Sequence, residues 1–393
     1  MNKLAQISGT IIDATRSVTG DGEHQLHIPD LTDQDRDSVS SCFDEGFVSS
    51  VGSKISQFEQ KLEDYTGAKH AIAVSSGTAA LHIALITAGI RSNDEVLVPA
   101  LTFVATGNAI LYCGAVPHFV ESKEAGFGID PYLLKEYLDG IVDFNDRGEA
   151  VNKTTGRVIR ALMVVHIFGH ITDVKALKAL ALKFNLLLIE DAAEALGSWE
   201  DNIHAGLHGN VGALSFNGNK IITTGGGGCV LTNCDETAVQ ARHLSTTAKL
   251  SHPYDYYHDA VGYNYRMPNL NAALGLSQMK RLEMFLGEKA QLCDAYRSAF
   301  ERVDGCYFYT HAKTSRSNYW LQTIVLEEDN IEVRNHVIEQ AHQQGLYMRP
   351  IWKPLNSLPA FASSPSMKLD TAQSLVNRSI NIPSSCYLGR LNG

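Results

Sequence analysis

No run of apolar residues in this 393-residue chain approaches the ~20 needed to cross a bilayer, and the opening stretch MNKLAQISGTIIDATRSVTG lacks an apolar core of signal-peptide length. Both absences lead us to expect a cytoplasmic protein with no membrane partner. A surplus of positive charge is also missing. With 33 Lys and Arg against 43 Asp and Glu, the net charge is −10, which argues against nucleic acid or anionic lipid and leaves room only for a local basic pocket. The seven cysteines are odd in number and contain no Cys-x-x-Cys pair, so they suit reduced thiols better than a disulfide framework or a zinc knuckle. Repeats and low-complexity tracts are absent as well. Disorder is excluded by what is present: 44% apolar and 19% charged residues, the balance of a folded chain.

The length exceeds one ordinary core and fits one large and one smaller domain, at ~100–200 residues each. Along the middle of the chain, short β-rich runs alternate with helical patterns. Leu81, Ala84, Leu85 and Ala88 predict a helix that stops at Gly89; Glu95–Val98 predicts a strand ended by Pro99. Val116–Val120 and Val158–Val165 read as strands, Asp130-Pro131 opens a helix through Leu138, and Asp173 caps a helix over Val174–Phe184. Leu186–Ile189 then delivers Glu190 and Asp191 at a strand end. This alternation predicts an α/β fold whose mostly parallel sheet is covered by helices on both faces, with ligands at the strands' carboxyl ends. Asp143–Arg157 reads as a surface loop and His252–Tyr265 as a longer aromatic one. From Asn269 a long helical pattern runs to Val303, followed by a strand at Tyr319–Leu326, a helix at Ile331–Gly345 and an extended piece at Tyr347–Trp352. These form a separate α+β unit.

Two stretches carry the chemistry, Ile-Glu-Asp-Ala-Ala-Glu-Ala-Leu-Gly (189–197) and Ser-Phe-Asn-Gly-Asn-Lys (215–220). A carboxylate such as Asp191 beside a pyridine nitrogen keeps it protonated and makes the ring an electron sink; elsewhere the same residue is a cap or a metal ligand. An amine such as that of Lys220 can condense with an aldehyde and then shuttle a proton, although most lysines are simply solvated. Ser75-Ser76-Gly77-Thr78, just ahead of a helix, is either an ordinary N-cap or a phosphate site. Together these residues predict a pyridoxal phosphate (PLP) enzyme. The glycine tract Gly225–Gly228 fails Gly-x-Gly-x-x-Gly because Val230 occupies the last place, and Gly-x-x-x-x-Gly-Lys occurs nowhere, so a tight turn is the expectation there. His166 and His170, like His204 and His208, are four apart but not on one helix face, so no metal site is expected.

Further motifs carry a resemblance: Glu59-x3-Glu63 to Gly67, Val74-Ser-Ser-Gly-Thr-Ala-Ala-Leu81, Val98-Pro-Ala-Leu-Thr-Phe-Val-Ala-Thr106, Glu190-Asp-Ala-Ala-Glu194, Ser215-Phe-x3-Lys220 and Gly262-Tyr-Asn-Tyr-Arg-Met-Pro268. In this order they resemble the DegT/DnrJ/StrS family of PLP-dependent nucleotide-sugar aminotransferases, from about residue 45 to the C-terminus. The resemblance implies PLP fold type I, with a large domain on a mostly parallel seven-stranded sheet (46–275), a smaller α+β C-terminal domain (276–393) and an N-terminal segment (1–45) packing with the small one. It implies Gly77, Thr78 and Ser215 at the cofactor phosphate, Phe103 stacked on the pyridine, Asp191 at its nitrogen and Lys220 as the lysine bound to the aldehyde. Asn264 matches an asparagine that reaches the neighbouring subunit's phosphate, implying a homodimer with shared active sites. Glu194 stands near the cofactor's phenolic oxygen where many members have His or Gln, and Gly226 where many have Glu. His166, in Val-His-Ile-Phe-Gly, and Arg349, Trp352 and Lys353 are the candidates for substrate contacts.

The activity so implied is transamination in two half-reactions, with glutamate as donor and the cofactor passing through pyridoxamine phosphate. The sequence looks closest to the branch acting on UDP-2-acetamido-2,6-dideoxy-4-ketohexoses to give 4-amino sugars of the bacillosamine and legionaminic type for surface glycans. A 3-keto aminotransferase acting on a dTDP-sugar keeps every cofactor residue and is the alternative. A PLP sugar dehydratase is opposed by Lys220, which stands where that enzyme resembles the family with His, and a non-catalytic regulator by the intact Asp191 and Lys220 pair.

Overall fold

The computed structural model describes residues 3–310 and 315–392. Seven strands form the main sheet: β1 (His70–Val74), β2 (Glu95–Pro99), β3 (Val116–Val120), β4 (Ile159–Val165), β5 (Leu187–Asp191), β6 (Val211–Ser215) and β7 (Gly228–Thr232). Their spatial order is β1-β7-β6-β5-β4-β2-β3. The five strands from β6 to β3 run parallel, and β7 lies antiparallel between β6 and β1. The apolar runs are nearly continuous because both faces are covered. In β1, Ile72 and Val74 pack with Ala80 and Ala84, whereas Ala71 and Ala73 turn to the opposite face with Phe58 and Leu62. Leu97 of β2 and Leu162 of β4 share that alternation, joining Leu134 and Leu177 under the helices that follow β3 and β4.

Four antiparallel strands make a second sheet, β8 (Cys306–Phe308), β9 (Gln322–Leu326), β10 (Arg349–Pro350) and β11 (Ser379–Ile382), ordered β8-β9-β11-β10. The first helix, α1 (Lys3–Thr19), packs Ile11, Ile12 and Val18 against Leu292, Tyr296 and Val337 of the helices beside this sheet. The next helix, Asp33–Glu45, packs instead on Asn269–Met279.

Four local readings change. The loop expected over Asp143–Arg157 contains a hairpin, Val142–Phe144 paired with Ala150–Asn152, whose turn is fixed by Asn145 Oδ1 accepting from the Arg147 and Glu149 amides. The long helix from Asn269 is two, Asn269–Met279 and Leu282–Phe300. Arg281 leaves helical geometry at the junction, and its guanidinium reaches Asp30 at 2.7 Å and Asp35 at 2.6 Å. The strand expected from Tyr319 begins at Gln322, because Tyr319 adopts φ +51° and turns the preceding residues toward the main sheet. The glycine tract does more than turn, since Gly228 opens β7 so close to the chain that a Cβ there would lie 2.4 Å from the Ser76 carbonyl oxygen. Among the described residues, no helix is long and apolar enough to cross a membrane, and the cysteines are free thiols.

Candidate functional site

A cavity of about 340 Å³ opens at the carboxyl ends of β5 and β6. One wall is the start of helix α2 (Gly77–Thr87). Ser76 caps it, its hydroxyl accepting from the Ala79 amide at 3.1 Å, so the first-turn amides and the positive end of the helix dipole meet the cavity. Ser215, the last residue of β6, closes this corner. A Cβ on Gly77 would lie 2.7 Å from the Ser215 Cβ, so only glycine lets the two segments approach.

Asp191 ends β5 almost fully buried. Its Oδ2 accepts from Thr106 Oγ1 at 2.8 Å, its Oδ1 from the Ala193 amide at 3.1 Å, and Thr106 is itself held by Thr102 at 2.8 Å. Burial pushes the Asp191 carboxyl above its ordinary range, an effect that the Thr106 and Ala193 hydrogen bonds and the Lys220 charge oppose without cancelling. Lys220 lies in a turn after β6, its amide donating to the Asn217 carbonyl at 3.0 Å. Its Nζ stands 3.2 Å from Glu194 Oε1 and 3.9 Å from the centre of the Trp320 ring, whose indole N–H donates to the Asn219 carbonyl at 2.6 Å. Glu194 is buried too, and its Oε2 accepts from the Phe168 amide at 2.8 Å. Burial raises this carboxyl as well, with Lys220 and Phe168 opposing. At the mouth, the Phe103 ring is 54% exposed and its centre lies 6.4 Å from that of Trp352.

The arrangement fits PLP on its own chemistry. A helix start with a serine hydroxyl and a glycine that tolerates no side chain suits a phosphate; a buried acid elsewhere in the wall suits a pyridine nitrogen; a lysine amine lining the same cavity suits an aldehyde. Gly77, Thr78, Phe103, Asp191, Glu194, Ser215, Lys220 and Trp352 are thus brought to one cavity. The other sequence candidates stand apart. His166 is fully buried beside β5, its Nε2 bonded to Glu190 Oε2 at 2.9 Å and its Nδ1 accepting from the Thr172 amide at 3.4 Å, and it is not part of the wall. Arg349 and Lys353 are exposed outside the wall, and Asn264 is exposed on a segment bridged to Thr246. Among the described residues, no cluster of three or more His, Cys, Asp or Glu could hold a metal. Sequence reasoning missed Trp320 and Thr106. Thr106 closes one of the motifs quoted above, whereas Trp320 lay in a stretch read as plain strand and carried no signal.

A family model described as the DegT/DnrJ/EryC1/StrS aminotransferase family matches residues 29–390. The chain is 36% identical over 361 residues to the GDP-perosamine synthase of Caulobacter vibrioides, covering 92% of each chain. It is 30% identical to the UDP-4-amino-4,6-dideoxy-N-acetyl-beta-L-altrosamine transaminase of Campylobacter jejuni, over 84% of this chain and 85% of that one. A crystal structure of a DegT DnrJ EryC1 StrS aminotransferase from Brucella abortus superposes with a TM-score of 0.81 at 26% identity, covering 92% of this chain and 96% of that one.

Proposed function

We propose, for a chain that belongs to the DegT/DnrJ/EryC1/StrS aminotransferase family and so is a PLP-dependent sugar aminotransferase, that it converts a nucleotide-linked 4-keto-6-deoxy sugar to the 4-amino sugar with glutamate as donor, for surface glycan synthesis. The observation that carries the chemistry is the Lys220 amine held in one cavity with Asp191 and the start of α2. Our first choice of carrier is GDP, because the relative at 36% identity is named for a GDP sugar. UDP is the second reading, favoured by the resemblance noted in the sequence and by the name of the Campylobacter relative at 30%.

Bound PLP supplies an aldehyde that accepts an amine and a ring that withdraws electrons from the bond to be broken. In our reading, the first-turn amides at Gly77 and Thr78, with the Ser215 hydroxyl, bind its phosphate, and Asp191 holds a proton on its ring nitrogen. Lys220 Nζ takes a proton from the α-carbon of the donor and, in the second half, returns one to carbon 4 of the sugar. Phe103, Trp320 and Trp352 wall the cavity against water and leave the side beyond Phe103 for the sugar nucleotide. Asn264, exposed and outside the wall of this cavity, is placed in our reading against the phosphate site of a partner subunit, which makes the enzyme a homodimer.

Incubating the purified enzyme with glutamate and a panel of GDP- and UDP-4-ketosugars, with product position read by NMR, tests the substrate. A 4-amino GDP product is expected. A 3-amino product, or deoxygenation without net amination, refutes the reading. Mixing Asn264→Ala with Lys220→Ala protein tests the shared site: partial recovery of turnover is expected, and none argues against it.

A further inference from the structure

Glu194 is held more elaborately than a passive wall residue needs. Its Oε2 is fixed by the amide of Phe168, a non-glycine residue in the left-handed region at φ +56° and ψ +19°, a conformation that costs energy and persists only where the surroundings impose it. The next residue, Gly169, has no room for a side chain, because a Cβ there would lie 1.8 Å from Asn318 Oδ1. Asn318 is fully buried and donates from Nδ2 to the carbonyls of Glu194 at 2.8 Å and Leu196 at 2.9 Å. The backbone and one oxygen of Glu194 are therefore clamped from two sides, which leaves Oε1 directed at Lys220 Nζ, 3.2 Å away, with the Trp320 ring against that same nitrogen.

Resting on the transamination reading above, we propose that Glu194 is the proton store of Lys220. As the ammonium of Lys220 gives up a proton, an Nζ–H bond breaks and an O–H bond forms at Glu194 Oε1; the neutral amine left behind can take the proton of the amino donor, and the reverse transfer restores the pair. Among the described residues, the neighbouring titratable groups are otherwise engaged or lie behind Trp320. Asp191, at the end of β5, is engaged by Thr106 and Ala193; His166, on the β4 side, is bonded to Glu190; and behind Trp320, Lys289 donates to the Trp320 carbonyl at 2.7 Å while the His27 ring lies 6.5 Å from the Trp320 ring.

Glu194→Gln keeps the size and an oxygen for the Phe168 amide but removes the exchangeable charge. In the cofactor-loaded protein, the pH midpoint of the visible absorption band is expected to fall by about one unit or more, since a carboxylate beside a cationic nitrogen favours its protonated form. Turnover is expected to drop roughly 100-fold with little change in the KM for glutamate. Either readout remaining at its wild-type value overturns the proposal while leaving amino transfer intact, whereas a wild-type protein without glutamate-dependent turnover overturns the underlying reading instead. If Glu194→Gln does not fold, Glu194→Asp, with its carboxylate withdrawn by one methylene, carries the same test. A smaller fall of the midpoint supports the proposal and none defeats it.

Discussion

At the amino end of β2, the buried Glu95 carboxylate accepts hydrogen bonds from His118 Nδ1 at 2.8 Å, Asn152 Nδ2 at 2.9 Å and Thr155 Oγ1 at 2.5 Å, with Arg157 3.6 Å away. At the carboxyl end of β5, Asp191 has one hydroxyl and one amide, and Glu194 has one amide and Lys220. Burial works against ionisation at both ends. At Glu95 the donors win and hold the carboxyl below its ordinary range, while at Asp191 and Glu194 burial wins and both are raised. One sheet thus carries a saturated acid that ties strands together and two unsaturated acids that face a cavity. The lesson is that burial alone does not mark a site; buried acids left short of partners do.

Lys220→Ala should draw the contrast most sharply, abolishing glutamate-dependent turnover, a loss of roughly 10³-fold or more, with a melting temperature close to wild type. Glu95→Ala should do the opposite, costing about 3–5 kcal/mol of stability by leaving His118 and Arg157 without their anion, while folded protein in the cold keeps its turnover. Chemical denaturation paired with a rate assay measures both, and an inactive but stable Glu95→Ala breaks the comparison. Asp191→Asn is expected to lose roughly 100-fold in turnover, about 2.7 kcal/mol in the barrier, yet to hold or gain stability at neutral pH, because a carboxylate with a raised pKa stabilises the fold only where it is protonated. The smallest effect concerns acid. The depressed pKa of Glu95 contributes stability above its unfolded value of about 4.3 that disappears as pH falls through its folded value, so in melts below pH 4.3 Glu95→Gln should lose less stability than wild type.

The parallel half of the sheet was legible because its strands are uninterrupted apolar runs punctuated by Pro99, Asp130 and Asp173, and because Asp191 and Lys220 stand at the strand ends where such folds bind ligands. What escaped depends on partners distant in sequence. β7 was hidden because its first residue belongs to a glycine tract whose purpose, close approach to Ser76, exists only in three dimensions. The break at Arg281 follows from Asp30 and Asp35, some 250 residues earlier, and periodicity within Asn269–Val303 cannot report it. Trp320 reaches Lys220 because Asn318 bonds the backbone after Glu194, a contact between the two sheets that no local pattern encodes. For the same reason His166 looked like a pocket residue from its strand direction, whereas Glu190 claims its ring.

The surfaces that receive Ile11, Ile12 and Val18 of α1 are made by Leu292, Tyr296 and Val337, far later in the chain. During synthesis this amphipathic segment must wait, its greasy stripe bare, until the chain has been translated through Val337. The cell therefore has a long interval in which a chaperone can hold it, and mutations that make the stripe stickier should show themselves first as poor yield of newly made protein.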